Sequence, residues 1–276
     1  CPNFYKEIKE IVKNDKYDLV WCNYPFMSKY LKCFNADNKV IDTHDNFLHR
    51  NELLGQISWF SSNSKELYKA FSRANFAVSI AQKEFSINLN IFHNIKHIFL
   101  PYINGETKRA IKKVGNGKIK IGFIGSVNSV NISAIKNIEI IAKELQNINF
   151  YIAGKISEHI NSDLNNIIKI GTVKNLNKFY SEIDASISPT FNSTGQKIKV
   201  LESIMNGIPC FTSTDSKPDF IEGYFANNIH DLNSFIKILS NIDRNNLFDV
   251  ISIQQKILTK EIYEYLKYEN RNKETQ

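Results

Sequence analysis

Lys197, Lys199 and Glu202 stand within six residues of one another, directly after Gly195 in the run Pro189-Thr-Phe-Asn-Ser-Thr-Gly-Gln-Lys-Ile-Lys-Val-Leu-Glu202. If a helix starts near Gly195, free backbone N–H groups, the positive helix end and two ammonium groups converge on one point, which is what binds a phosphate. Lys199 and Glu202 are three residues apart and share a helical face, with Ile198, Leu201 and Met205 forming the opposite, buried stripe. A carboxylate on the face that carries a phosphate-binding end suits a nucleotide, whose ribose diol lies one sugar unit from the pyrophosphate. The alternative for Lys199 and Glu202 is a solvent-exposed ion pair of little energetic value.

A second anion-binding pattern is Gly122-Phe-Ile-Gly125-Ser126, which runs off the apolar strand Ile119 to Ile124 into a helix expected from Ile132. Glycine there lets backbone donors approach an anion closely, although a tight strand-to-helix turn uses the same residues for packing. In the first half, His44 follows a strand in Thr43-His44-Asp45, with His49, Arg50 and Glu52 close behind. A lone histidine is commonly a structural residue, and the polar run after it also reads as an exposed helix start. His93, His97, His159 and His230 show no ligand-like spacing, and no metal site is expected.

These residues need elements to position them, and the chain supplies two series of parallel βα units. The first has strands at Tyr17 to Cys22, Lys39 to Asp42, Phe76 to Ala81 and His97 to Leu100, separated by helical patterns at Phe4 to Lys13, Pro25 to Phe34, Asn51 to Ser72 and Lys83 to Phe92. Past Leu100-Pro101, a lysine-rich segment and Gly115-Asn116-Gly117 read as a linker. The second series has strands at Ile119 to Ile124, Phe150 to Ala153, Ile167 to Ile170, Ala185 to Ser188 and Pro209 to Thr212. Its helices are expected at Ile132 to Leu145, Leu176 to Ser181, Gln196 to Asn206 and Asp231 to Leu239. A last apolar-periodic segment, Leu247 to Tyr268, has no strand after it and must pack back on what precedes it.

The expectation is therefore an α/β protein of two doubly wound, Rossmann-like domains facing a cleft, over residues 1–108 and 109–246, with a C-terminal helix and tail over 247–276. Residues 3 to 14 already read as the middle of an α/β repeat and Cys1 is no initiator methionine, so the N-terminal domain is expected to be incomplete; a processed lipoprotein with an acylated cysteine is the alternative.

Composition narrows the partners. Net charge is +7 among 276 residues, but acids are scattered among the lysines, and the one basic stretch, Lys108 to Lys120, lacks the interleaved aromatics of a nucleic-acid surface. Cys1, Cys22, Cys33 and Cys210 have no paired spacing, which points to reduced cysteines rather than a disulfide or zinc framework. With no apolar run near 20 residues and no signal peptide, the reading is a cytoplasmic protein, whose basic linker is free to touch an anionic membrane at its inner face.

The run from Pro189 to Pro209 resembles the donor-binding segment of the group 1, family-4-like GT-B glycosyltransferases, the retaining group that includes bacterial polysaccharide enzymes. Gly122 to Ser126, Ala153-Gly154-Lys155, Gly171-Thr172-Val173 and Asp184 to Pro189 recur in that group's order and spacing, and Tyr17 to Tyr24, Ile41 to Asp45 and Trp59 to Gln82 are similar to its acceptor domain. The resemblance implies ribose binding by Glu202 and diphosphate binding by Lys197 or Lys199, with Gly122, Gly125, Ser126, Gly154, Gly171, Thr172, Thr194, Gly195 and Gln196 lining the donor site. It places His44 near the transferred sugar, so that His44, Lys197 and Lys199 are the candidate catalytic residues, and Asp45 and Arg50 on the acceptor side. Many members carry two glutamates separated by seven residues; here the first falls on Thr194. Members also often place an Arg and a Lys after the first strand of the second domain, where this chain has no Arg between Ser126 and Lys136. The implied reaction is transfer from a UDP- or GDP-linked sugar to a hydroxyl of a glycan or lipid-linked acceptor, with retention and no cofactor or obligatory metal. A nucleotide-sugar 2-epimerase and a non-catalytic nucleotide-sugar-binding scaffold are the rival readings.

Overall fold

The computed structural model describes residues 2–45, 48, 63–100, 117–191, 196–214, 229–243, 245, 247 and 249–256. The chain divides into two compact units, one holding the first four strands and the other the last five.

In the first unit the elements are α1 (Pro2–Val12), β1 (Lys16–Asn23), a 3-10 helix (Pro25–Cys33), β2 (Asn35–Asp42), α2 (Ser64–Phe71), β3 (Phe76–Ser79), α3 (Gln82–Ile91) and β4 (Lys96–Phe99). The segment expected as a regular helix over Pro25 to Phe34 is thus a tighter 3-10 coil, entered through Tyr24 at φ 70°. Strand β2 begins four residues before its expected start, because Asn35 to Asn38, polar but for Ala36, pair with Lys16 to Leu19 on β1 without an apolar run to mark them. All pairings are parallel and the strand order is β1-β2-β3-β4. Leu31, Ile41, Leu67, Phe71, Ala77 and Phe92 form the core, with Phe71 and Phe92 edge to face at 4.6 Å between centroids.

The second unit runs β5 (Ile119–Ile124), α4 (Ser129–Glu144), β6 (Ile148–Ala153), a 3-10 turn (Lys155–His159), β7 (Ile167–Gly171), α5 (Leu176–Glu182), β8 (Ala185–Ser188), α6 (Ile198–Met205), β9 (Cys210–Thr212) and α7 (Leu232–Ser240). Helix α4 starts a turn ahead of its expected first residue because the Asn128 side chain accepts from the Asn131 N–H at 2.8 Å and caps it. Its buried residues Ala134, Ile135, Ile138, Ile141 and Ala142 follow helical spacing and lie against Ile121, Phe123, Phe150 and Ile152 of the sheet.

The parallel strand order is β7-β6-β5-β8-β9. From β5 the chain builds outward through β6 and β7, then returns to the other side of β5 with β8 and β9. The order therefore reverses between β5 and β8, and ligands of such sheets bind outside the carboxyl ends of the strands at that point.

The segment after 246 packs on the second unit as far as it is described. Leu247 and Val250 enter the main core, and Ile251 packs with Val200, Leu201, Ile204 and Met205. The Gln254 amide accepts from the Cys210 N–H at 3.2 Å and donates to the Cys210 carbonyl at 3.1 Å, which occupies the outer edge of β9 as a neighbouring strand would. Among the described residues, no helix is long and apolar enough to cross a membrane.

Candidate functional site

The carboxyl ends of β5 and β8 lead into the turn Gly125-Ser126 and the segment from Pro189, and both are tied to the same helix. Asn131 in the first turn of α4 donates from Nδ2 to the Ser126 carbonyl at 2.8 Å. One and a half turns on, Asn137 donates to the Pro189 carbonyl at 2.8 Å. Helix α6 is fixed to β8 from beneath: the Ser203 hydroxyl meets the Ser186 hydroxyl at 2.6 Å and donates to the Ile208 carbonyl at 3.0 Å.

Helix α6 starts at Ile198, three residues after the expected Gly195, with Lys197 as its cap residue and no side chain capping the first turn. Thr194 and Gly195 lie outside the described residues. Gln196 and Lys197 are partly buried at the entry to the helix. The expected buried stripe is rotated: Ile198 is 40% exposed, while Val200, Leu201, Ile204 and Met205 are buried. That rotation carries Lys199 inward, away from the exposed ion pair considered above.

Lys199 Nζ donates to Asn131 Oδ1 at 2.7 Å and lies 4.3 Å from the centre of the Phe123 ring. Removal from water, with the Lys197 charge nearby, pushes its pKa down to about 8. An ammonium group has three N–H donors. One goes to Asn131 and the group lies over the Phe123 face, so its donors are not exhausted by the contacts described.

Glu202 is one turn further along the same helix and partly buried, and burial raises its pKa; the Tyr180 hydroxyl opposes that rise. Tyr180 is buried on α5, and its hydroxyl has no hydrogen-bond partner in good geometry among the described residues. Burial, then the Glu202 charge, raise the Tyr180 pKa.

The glycines expected at the donor site divide sharply. Gly122 is two residues inside β5, paired with β6 and β8, and a Cβ there would meet Ile183 Cδ1 at 2.5 Å and Phe179 Cζ at 2.8 Å. The absence of a side chain lets α5 pack on the sheet, so close packing by itself accounts for a glycine at this position. Gly154, at φ 87°, donates to the Gly171 carbonyl at 2.7 Å, and a Cβ on it would strike the Gly125 carbonyl oxygen. Gly171 is at φ 74° and the exposed Thr172 follows it. Both glycines shape the backbone behind the turn. Gly125 contributes no free donor, because its N–H bonds the Ala153 carbonyl at 3.2 Å. Ser126 is exposed and its N–H makes no hydrogen bond among the described residues, so this turn offers its donor there.

In the first unit His44 sits at φ 54°, just beyond the end of β2. Its Nε2 is 3.3 Å from Asn23 Oδ1 and 3.7 Å from Asp42 Oδ2, and its ring lies 4.4 Å from that of Tyr24, which itself stacks on Phe26 at 5.1 Å. Two oxygen acceptors at Nε2 favour the tautomer with the proton there, leaving the Nδ1 lone pair to accept. Two non-glycine residues at positive φ, Tyr24 and His44, are thus in ring contact at the ends of neighbouring strands, a placement that stores of order 1 kcal/mol or more in each backbone. The Asp45 N–H bonds the Thr43 carbonyl at 2.6 Å; Arg50, like His49 and Glu52, lies outside the described residues.

Asn131, Phe123 and Tyr180 in the second unit and Asn23, Asp42 and Tyr24 in the first are functional candidates absent from the sequence reading. Asn131 left a signal, since it is the polar member of the stripe continued by Ala134, Ile135 and Ile138. Among the described residues no group of three or more His, Cys, Asp or Glu side chains could hold a metal ion.

Two parallel α/β sheets, the second reversing its strand order between β5 and β8, give a fold similar to that of solved GT-B glycosyltransferases. Residues 118–241 match the family described as glycosyl transferases group 1. No curated protein sequence matches the chain significantly. Among solved structures, the chain is similar to a mutant of TarM from S. aureus in complex with fondaparinux, alpha-GlcNAc-glycerol and UDP, with TM-score 0.65 and 16% identity over 93% of this chain and 53% of that one. The pneumococcal O-GlcNAc transferase GtfA in complex with UDP and GlcNAc gives a TM-score of 0.62 and 15% identity, covering 98% of this chain and 59% of that one. HepE from Anabaena in complex with UDP and glucose gives 0.65 and 12%, covering 97% and 81%. At these identities the likeness is one of fold, and the chain spans little more than half the length of TarM and GtfA.

Proposed function

We propose that the protein transfers a sugar from a nucleoside diphosphate sugar, of which a UDP-sugar is the favoured case, to a hydroxyl of a glycan or lipid-linked acceptor, with retention at the anomeric carbon. The observation that carries this reading is the Lys199 to Asn131 hydrogen bond at 2.7 Å, which brings a cation from the helix after β8 to the first turn of the helix after β5. A diphosphate at that corner would meet the Lys199 ammonium, the free Ser126 N–H and the uncapped start of α6, with Lys197 at the same helix end. Glu202 then takes the ribose diol. The TarM, GtfA and HepE complexes hold UDP, which supports uridine over guanosine.

In the reaction the bond between the anomeric carbon and the diphosphate oxygen breaks, with its electron pair leaving on the nucleotide. The acceptor oxygen bonds to that carbon, and its proton passes to the departing phosphate oxygen. Negative charge grows on the leaving group, so preorganised donors at Lys199 and Ser126 favour the transition state over the ground state. For His44 the assignment is a contact with the transferred sugar: the ring is oriented by Asn23 and Asp42, and Nδ1 is able to accept from a sugar hydroxyl. Asp45 and Arg50 are assigned to the acceptor, and peripheral contact of the basic segment with an anionic membrane remains part of the proposal.

Calorimetric titration with UDP and GDP tests the nucleotide, and Glu202→Ala tests the ribose contact. The variant should bind UDP about 10- to 100-fold more weakly, corresponding to roughly 1.5–3 kcal/mol for a hydrogen bond to a charged group. Wild-type affinity in the variant would remove Glu202 from the site.

A further inference from the structure

We propose that Asn131 is a positioning residue, which presents the Lys199 ammonium to the donor diphosphate while leaving its charge intact. The inference rests on the diphosphate site proposed above.

Asn131 is 7% exposed and lies where a helix stripe is otherwise apolar. Each of its polar groups is committed: the backbone N–H to Asn128 Oδ1 at 2.8 Å, Nδ2 to the Ser126 carbonyl at 2.8 Å, and Oδ1 to Lys199 Nζ at 2.7 Å. Helix capping does not explain the side chain, because Asn128 supplies the cap. Nor does local packing, since the Oδ1 bond runs to a different helix, 68 residues away in sequence. Room has been made for the amide as well: a Cβ on Gly125 would lie 2.9 Å from Asn131 Nδ2, so glycine at 125 lets the side chain seat under the turn.

The choice of an amide has a chemical reason. A carboxylate in this place would orient Lys199 equally well but would neutralise it and repel a diphosphate. An apolar residue would leave the ammonium half-desolvated without an acceptor. The amide oxygen fixes direction and keeps the full positive charge, while Nδ2 holds the turn that offers the Ser126 N–H. One side chain therefore sets the spacing between the two donors. The other groups that face Lys199 are the Lys197 charge from its own segment and the Cys210 thiol of β9, whose own pKa burial pushes up to about 12 and which therefore stays neutral at working pH; Phe123 contributes only its ring face.

The test is UDP binding by the full chain, followed from pH 6.5 to 9.5, in Asn131→Ala, Asn131→Asp, Lys199→Met and the double variant Asn131→Ala/Lys199→Met. Asn131→Ala should bind UDP roughly tenfold more weakly at pH 7 and, in the Lys199→Met background, should cost clearly less, with only the loss of the Ser126 turn contact remaining. Asn131→Asp should also weaken binding about tenfold, and should move the alkaline loss of affinity to higher pH because the added carboxylate holds the lysine protonated. A purely structural asparagine would lower the melting temperature of every variant alike without moving the pH profile. Wild-type affinity and an unmoved pH profile in Asn131→Asp, or full additivity in the double variant, would overturn the inference. If the wild-type chain binds neither UDP nor GDP, the diphosphate site itself fails and the inference falls with it.

Discussion

The two units of this chain are built from the same parallel βα repeat, yet they place their candidate residues in different ways. In the second unit the order β7-β6-β5-β8-β9 reverses at β5, and two helix starts with their donors are left side by side. In the first unit the described strands run β1-β2-β3-β4 without reversal, and its candidate residue is placed by backbone strain at Tyr24 and His44. Where topology opens the space, glycines relieve the backbone, as at Gly154 and Gly171; where it does not, side chains are forced into positive φ and stack on one another. Topology therefore governs the corner of one unit and local conformation that of the other.

The sharpest way to break this contrast is Gly154→Ala. The substitution puts a side chain at φ 87° and a Cβ against the Gly125 carbonyl, which should cost about 3 kcal/mol or more in the second unit. Amide exchange should rise in β5 and β6 peptides and stay unchanged in β2 and β3 peptides. Equal loss in both sets would show that the units do not hold their structure independently.

A smaller effect is expected from pH. The folded pKa of Lys199, about 8, is below the ordinary 10.5. The folded chain thus holds fewer protons between these values, so burying the charged lysine costs stability below pH 8 and that cost is relieved as pH rises through 8 toward 10.5. A diphosphate prefers the protonated lysine, so UDP affinity should fall across the same window, by roughly tenfold between pH 7 and pH 9.5. Proton uptake on binding near pH 8.5, read from calorimetry in buffers of different ionisation enthalpy, checks the sign. A flat profile would take Lys199 out of the diphosphate contact.

The smallest effect belongs to His44→Ala. UDP carries no sugar, so its affinity should change by less than about twofold, as for an independent site, while turnover of the sugar donor collapses. A tenfold loss of UDP affinity would end the division of labour between the units.

Much of the architecture was legible because parallel strands buried on both faces read as short apolar runs, as in Phe150 to Ala153 and Ala185 to Ser188. Strand β2 was shortened because Asn35 to Asn38 pair with β1 through the backbone and polar side chains, which leave no apolar signal. Among the candidate site residues, Lys199 and Glu202 stood out by their spacing. Their environment did not, because the true helix start and its rotation depend on how α6 lies on β8, through Ser186 and Ser203. The packing role of Gly122 was hidden for a related reason: a glycine that admits a ligand and one that admits Ile183 and Phe179 have the same sequence signature.

The residues alone determined the repeat, the two series of strands, and the helix that carries both a lysine and a carboxylate, because periodicity and spacing are local properties. Only the tertiary structure decided which glycines serve packing, that the Gly125 N–H is already bonded, and that Lys199 turns inward to Asn131. Those outcomes rest on contacts between segments tens of residues apart, where the reversal of strand order brings two helix starts together and burial sets the charge of the lysine between them.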